Sequence, residues 1–247
     1  LKVGSLFSGA GIGDYGLSLA GLSHAWFCET DEYSRRVLEL RFPGKTIYGD
    51  IRGVYGKYIE KVDIISGGFP CQDISTAGKG AGIREGNRSG LWYEYARIID
   101  EIRPKWVVIE NVAAIRNKNG GLGIVLQDLA EIGYDAEWQV LRAFDFGLPH
   151  RRERLFVIAY PNSERLEKFW EGASWDKISE QQTSVQDNFD STVRRFWETA
   201  ARTYRGTNGT PHRVDRLRCI GNGIVPFCTE FIGRRIIEIE VERELSK

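Results

Sequence analysis

Two rhythms of apolar residues take turns along this chain: short β-branched runs bounded by glycines, and longer stretches in which apolar side chains recur every three or four positions. The first reads as buried strands and the second as helices. Strands are predicted over residues 2–7, 24–28, 46–48, 61–66, 105–109, 134–142 and 153–160, and helices over 12–20, 32–42, 91–102, 121–132 and 226–242, the last of them amphipathic. Such alternation predicts an α/β fold with a doubly wound, mostly parallel sheet. The runs Lys61-Val62-Asp63-Ile64-Ile65-Ser66 and Lys105-Trp106-Val107-Val108-Ile109 have the composition of central strands. Consecutive βαβ units put such strands side by side.

The pattern lapses after Pro161. Residues 162–212 are polar, rich in Glu, Gln, Ser, Thr and Asn, with Trp170, Trp175 and Trp197 interspersed, and periodicity returns only past Arg213. The chain therefore divides into a main domain over 1–161, a small polar segment over 162–212, and a return to the main domain over 213–247. A second break, 73–90, carries Gly78, Gly80, Gly82, Gly86 and Gly90. An unstructured loop of that length inside a compact domain signals function.

Composition narrows the setting rather than the activity. Hydrophobic residues fill 42% of 247 positions, enough for a substantial core, and no run is long enough to span a bilayer. The cysteines (28, 71, 219 and 228) show no metal-ligand spacing and the three histidines are scattered. No metal is expected, and a reducing, cytoplasmic setting is. Acidic and basic side chains balance at 34 each, but arginines cluster at 151, 152 and 154, at 194 and 195, and at 213, 216 and 218. A neutral protein binds a phosphate backbone if one face collects its arginines; spread over the surface, the same residues are merely solvated.

Candidate chemistry collects at strand ends. In Gly67-Gly68-Phe69-Pro70-Cys71-Gln72, two glycines let another molecule approach the backbone, and Pro70 sets the geometry before Cys71. A cysteine at the carboxyl end of a parallel strand stands where open α/β sheets bind their ligands. The next such strand runs into Glu110-Asn111-Val112. A thiol that attacks carbon and a carboxyl that hands over a proton then face one crevice. After the first strand come Gly9, Gly11 and Gly13, where a ligand lies against bare backbone. A dinucleotide fingerprint needs glycine or alanine at position 14, which is Asp14, and that departure argues against a pyrophosphate. Glu29, closing the second strand, is placed to accept from ribose hydroxyls, and Asp50, after the third, from the amino group of an adenine.

These motifs are joined by Leu6-Phe7-Ser8-Gly9-Ala10-Gly11-Ile12-Gly13 near the start, Arg152-Glu153-Arg154 in the middle and Gly221-Asn222-Gly223-Ile224-Val225-Pro226 near the end. In order and spacing the set resembles that of the cytosine carbon-5 DNA methyltransferases of prokaryotic or phage type, over residues 1–160 and 213–240. One such motif is weak evidence; five in order are strong. The resemblance implies a Rossmann-like, S-adenosyl-L-methionine-dependent methyltransferase fold. As activity it implies methyl transfer from S-adenosyl-L-methionine to carbon 5 of a flipped-out cytosine in double-stranded DNA, through a covalent adduct on Cys71. Carried over residue by residue, it puts Phe7, Ser8, Gly9, Ala10, Gly11 and Ile12 around the donor's methionine and ribose, and Glu29 and Thr30 at the ribose. Asp50, Ile51 and Leu91 surround adenine, and Asn222 and Ile224 close the methionine end. Glu110 makes the pyrimidine more electrophilic through nitrogen 3, Arg154 contacts its oxygen 2, and Arg152 holds Glu110 in position. Asn111 orients the glutamate strand end and is grouped with the DNA-facing residues. That group includes Gln72 and Ser75 at the base of the 73–90 loop and Arg84 and Arg88, with Lys79, on it, a lid that closes over phosphates. A monomeric, metal-free enzyme of the restriction-modification kind is implied, cytoplasmic and nucleoid-associated when on DNA.

Two features depart from the family. His150 stands where a glutamine is usual two residues before Arg152; it either alters a contact near the flipped base or is a tolerated variant. The 162–212 segment is short for a target-recognition region, which makes it minimal, degenerate or partly missing. Two rival functions stay open: a methyltransferase-like protein that binds DNA without turnover, and a cytosine methyltransferase acting on RNA. A nicotinamide-dependent dehydrogenase is disfavoured by Asp14 and by the Cys71–Glu110 pair. Cys28, Cys219 and Cys228 read as small buried hydrophobes.

Overall fold

Strands with apolar side chains at consecutive positions need cover on both faces, and the sheet meets that need. The computed structural model describes residues 1–70, 90–117, 120–146, 148, 152–163, 169–171 and 224–246. β1 (Lys2–Leu6), β2 (Ser23–Cys28), β3 (Thr46–Tyr48), β4 (Ile64–Gly67), β5 (Trp106–Val112), β6 (Tyr134–Arg142) and β7 (Glu153–Pro161) form one sheet in the order β3-β2-β1-β4-β5-β7-β6. β1 pairs in parallel with β2 and β4, β2 with β3, and β4 with β5, whereas β7 runs antiparallel to both β5 and β6. The chain leaves β1 toward β3 and then returns to lay β4 on the other side of β1, so the order reverses between β1 and β4. Open sheets bind ligands at such a point, beyond the carboxyl ends of the strands.

Helices α1 (Ile12–Leu19), α2 (Glu32–Arg41), α3 (Leu91–Ile102), α4 (Leu122–Glu131) and α5 (Pro226–Leu245) supply the cover. α3 brings Trp92, Tyr95, Ile98, Ile99 and Ile102, a stripe at helical spacing, into one cluster with Leu6, Ile65, Val107, Ile109 and Val157. Local chemistry sets its limits. Gly90 opens it, and Pro104 disfavours right-handed helical backbone at Arg103, which turns left-handed at φ 56° and ends it. Trp106 of β5 faces α5 instead: its Nε1 donates to Glu240 Oε1 at 3.1 Å, and Arg243 lies over the indole at 5.3 Å.

α5 differs from expectation. Its first half is buried on nearly all sides, at residues 228–233, and only its second half turns polar residues outward. α1 is a main cause. A Cβ at Gly16 would overlap Pro226 O and Thr229 Oγ1, and Gly233 leaves no room beside Ala20. On another side Phe231 meets Phe146, ring centroids 5.9 Å apart. Thr229 Oγ1 donates to Gly13 O at 2.7 Å and so ties α5 to the first turn of α1.

Two boundaries also move. β5 continues past residue 109 to Val112 because β7 pairs with it there, Glu110 opposite Phe156 and Val112 opposite Arg154. Residues 169–171 belong with the main unit, Leu1–Glu171 and Gly223–Lys247, rather than with the polar segment. Phe169 is fully buried, its ring centroid is 5.9 Å from that of Trp106, and its N–H donates to Glu137 Oε1 at 2.7 Å. The polar segment from 172 to 222 lies outside the described residues. No helix among the described residues is long and apolar enough to cross a membrane.

The α1–α5 contact is expected to admit no side chain at position 16. Gly16→Val should lower the free energy of unfolding by about 2 kcal/mol or more, as overpacking does. Gly123→Ala in α4, where a Cβ meets open space, should raise it by up to about 1 kcal/mol. Urea denaturation of the two variants reads both.

Candidate active site

The turn after β1 opens its backbone to a ligand. Phe7 takes a left-handed φ of 53°, Gly9 and Gly11 follow at 54° and 68°, and Gly11 caps α1. A Cβ on Gly9 would meet no atom within 4 Å. The turn is pinned from β2: Ser8 N–H donates to Cys28 O at 3.1 Å, and Gly9 N–H to Glu29 Oε2 at 2.7 Å. The other Glu29 oxygen accepts from Asp31 N–H at 2.8 Å, and Asp31 in turn caps α2. Each carboxylate oxygen keeps a further lone pair. Ile224 packs on Gly13, its Cδ1 2.8 Å from where a Cβ would stand, so the chain just ahead of α5 lies against the start of α1 that follows this turn.

At the end of β3, Asp50 caps a 3-10 turn, Ile51–Gly53, in which Ile51 is buried. Arg52 engages both Asp50 oxygens, Nε with Oδ1 at 3.0 Å and Nη2 with Oδ2 at 2.8 Å. Hydrogen bonds from Arg52 hold the Asp50 carboxyl below its usual range. Ala10 and Ile12 complete the turn into α1, Thr30 is exposed beyond β2, and Leu91 opens α3. Of the residues expected around a donor, 7–12, 29–30 and 50–51 thus stand beyond the carboxyl ends of β1, β2 and β3.

On the other side of the reversal point, Glu110 and Arg154 meet. Arg154 Nε lies 2.7 Å from Glu110 Oε1, with 20% and 12% of the two side chains left exposed. The antiparallel course of β7 allows this, since its first residues lie beside the last of β5. Glu110 Oε2 fills the space beside Gly68, 2.5 Å from where a Cβ would stand. Asn111 is buried; its Nδ2 donates to Phe69 O at 3.3 Å and its Oδ1 accepts from Val112 N–H at 2.8 Å. Together these contacts fasten residues 68–69 to 110–112. Cys71 follows two positions after Phe69 and, like Gln72, Ser75, Lys79, Arg84, Arg88, His150 and Asn222, lies outside the described residues.

Two contacts add detail to the expected arrangement. The ion pair to Glu110 comes from Arg154, to which only the pyrimidine contact had been assigned, while Arg152 acts on Glu110 through its charge. Asn111, expected to orient the glutamate strand end and grouped with the DNA-facing residues, gives its amide to Phe69 O. The residue pattern also failed to disclose an aromatic ladder, Phe69–Trp92–Tyr95–Phe7, with centroids 5.2, 5.7 and 6.2 Å apart. It joins the turn that leads to Cys71 with the turn of Gly9. Trp92 and Tyr95 fall on the apolar stripe of α3, so nothing in the sequence separates them from ordinary core. Cys28 and Cys228 are buried thiols. Burial, helped by the charges of Glu29 and Asp50, pushes Cys28 up to about 12, and burial raises Cys228 as well.

A family model described as C-5 cytosine-specific DNA methylase matches residues 1–212. The chain belongs to this family. The type II methyltransferase M.HhaI of Haemophilus parahaemolyticus is 35% identical over 223 residues, 87% of this chain and 66% of that one. M.NgoBI of Neisseria gonorrhoeae is 37% identical over 164 residues, 66% and 51% of the two chains. The chain thus spans between half and two-thirds of the length of these relatives. A prophage-encoded protein of E. coli superposes with a TM-score of 0.60 at 26% identity, over 70% of this chain and 50% of the other. The S. pombe Dnmt2 methyltransferase does so at 0.55 and 21%, over 68% and 51%, a likeness of fold.

Burial pushes the Glu110 carboxyl up from 4.5 to about 6, against the opposing charges of Arg154 and Arg152. Burial and the charge of Arg154 in turn push the Arg152 guanidinium below its ordinary value. A carboxyl so placed holds its proton loosely enough to give it near neutral pH. Because its folded value lies above its unfolded one, its contribution to stability is full below pH 4.5. That contribution, about 2 kcal/mol, is lost as pH rises through 6. Carbon-13 NMR of the labelled Glu110 carboxyl should titrate near 6, and Arg154→Gln, which removes the ion-pair partner, should move the midpoint higher. Over the same pH window, urea denaturation should show the wild type losing more stability than Glu110→Gln, whose side chain does not titrate.

Proposed function

We propose that the methylase transfers a methyl group from S-adenosyl-L-methionine to carbon 5 of a cytosine turned out of double-stranded DNA, with Cys71 as covalent nucleophile and Glu110 as proton donor. The observation that carries this reading is the Glu110–Arg154 pair, sheltered beside Gly68 of the turn that leads to Cys71.

The acceptors at the other end of the crevice suit the donor. Glu29 and Asp50 accept from hydroxyl and amino groups, and the Glu29 carboxylate beside Gly9 favours a positive sulfonium over a pyrophosphate, which it would repel. Phe7, Ser8, Gly9, Ala10, Gly11 and Ile12 would line methionine and ribose, Thr30 the ribose, Ile51 and Leu91 the adenine, and Asn222 with Ile224 the methionine end. Bound there, S-adenosyl-L-methionine supplies an electrophilic methyl group.

Carbon 5 of cytosine is a weak nucleophile, and the protein's residues remedy that. The Cys71 thiolate forms a bond to carbon 6 while Glu110 gives its proton to nitrogen 3, which leaves an enamine whose carbon 5 takes the methyl group as its bond to sulfur breaks and S-adenosylhomocysteine is released. Carbon 5 then loses its proton to solvent base, the carbon 6–sulfur bond breaks, and Glu110 recovers its proton as the thiolate leaves. Arg154 orients Glu110 and reaches pyrimidine oxygen 2, and Arg152 keeps the surroundings positive. The target carbon is out of reach inside a duplex, so the base is flipped. Gln72, Ser75, Arg84 and Arg88, with Lys79, then serve the loop that closes on DNA as a lid.

A duplex pool carrying 5-fluorocytosine tests the covalent route, because fluorine cannot leave carbon 5 as a proton does. With donor present, wild-type protein should become permanently joined through Cys71. Cys71→Ser should give no adduct, lose methyl transfer by at least about 10³-fold and keep its donor affinity. A folded wild-type protein that forms no adduct on any duplex of the pool sinks the proposal. Glu29→Ala should weaken donor binding by about tenfold or more, the value of a charge-assisted hydrogen bond, without unfolding the chain; isothermal calorimetry measures this.

A further inference from the structure

β3 is a three-residue strand at the edge of the sheet, paired on one side only, and it offers little to fix the turn that follows it. That turn, with Asp50 and Ile51, is held from α3. Arg97 Nη2 donates to Ile51 O at 3.2 Å and to Val54 O at 2.9 Å. Its Nη1 donates to Glu101 Oε1 at 2.8 Å, its Nε to Glu94 Oε2 at 2.9 Å, and its guanidinium lies 5.1 Å from the centre of the Tyr55 ring. Glu101 Oε2 accepts from Gly56 N–H at 2.5 Å, and a Cβ on Gly56 would stand 2.7 Å from Glu101 Cβ. One planar fork thus grips two backbone carbonyls while two carboxylates keep it in its plane. A lysine, with one compact charge, cannot serve all four at once.

We propose that Arg97 is a positioning residue for recognition of the donor's purine, setting from outside the pocket where Asp50 and Ile51 stand. This rests on the S-adenosyl-L-methionine reading above and adds to it a residue that touches no ligand. Asp50 does not define the contact alone, because it caps the turn Ile51–Gly53 and moves with it. Shifting an acceptor by about 1 Å takes a hydrogen bond out of range. Loosening the clamp therefore removes selectivity for the purine amino group more than it removes general affinity.

Calorimetry with two probes tests this: S-adenosylhomocysteine, and S-inosylhomocysteine, in which oxygen replaces the purine amino group. Wild type should prefer the first. Arg97→Lys should weaken the first by about tenfold and leave the second nearly unchanged, and added to Asp50→Ala it should weaken the first no further. Glu101→Gln, which loosens the same clamp at Gly56, should narrow the preference in the same sense, and it carries the test if circular dichroism shows Arg97→Lys unfolded. In folded variants, no change, equal weakening of both probes, or full additivity with Asp50→Ala overturns the inference, while wild-type binding leaves the donor reading standing. Wild-type protein that binds neither probe takes both down.

Discussion

The Glu110 carboxylate stands in a gap that several elements have to keep open. β4 must lead into a glycine at 68, because any side chain there would take the carboxylate's place. β7 must run against its neighbours: nine residues at ~3.3 Å each span about 30 Å, so a parallel β7 would deliver Arg154 to the far end of the sheet. β5 must continue past its apolar run, which its pairing with β7 makes possible. Burial alone would drive the carboxyl higher, and two arginines alone would pin it as an anion. Their opposition leaves it near 6, where a proton can move either way.

The same crevice is divided by charge. Beyond β2 and β3 stand Glu29 and Asp50; beyond β5 and at the start of β7 stand Arg154 and Arg152, with the reversal point between them. A chain whose acidic and basic residues cancel can therefore present an acceptor-rich end and a positive end to different ligands. On the proposed reading a sulfonium donor takes the first, and a pyrimidine carbonyl beside phosphates takes the second. The aromatic ladder from Phe69 to Phe7 runs between the two turns as a rigid packing contact, so the distance between the two ends is set by the core.

Most of the strands and helices were legible because their periodicity and punctuation agree. α3 falls on its expected residues since Gly90 starts it and Pro104 stops it. Other features leave no mark in such patterns. An apolar run reads the same in either direction, so nothing announced that β7 is reversed. Arg152 and Arg154 are two apart and share a face of the chain, which says that both approach the crevice but not which one meets Glu110. The first half of α5 was expected to be amphipathic, yet small residues in α1 let it sink until nearly every side is covered. Phe169 was hidden at the start of a segment that reads as polar, although its ring belongs to the core around Trp106.

Asp14 shows how one substitution in a familiar loop changes what the loop can hold. A dinucleotide turn has glycine or alanine there so that helix, strand and pyrophosphate approach closely. Here Asp14 is buried, and its Oδ1 lies 3.1 Å from Nε2 of His24, which is also buried, on β2. His24 Nδ1 meets Ser18 Oγ at 3.4 Å, and its ring stacks on Phe27 at 5.1 Å. The carboxyl thus staples the first turn of α1 to the adjacent strand, the task that close helix–strand packing performs in a dinucleotide site. It does so with an acceptor group directly behind the helix start, where a phosphate would otherwise draw on the N–H groups. Loop geometry is kept while its preference for anions is reduced. Gly9, whose N–H is already taken by Glu29, carries the same preference to the mouth of the crevice.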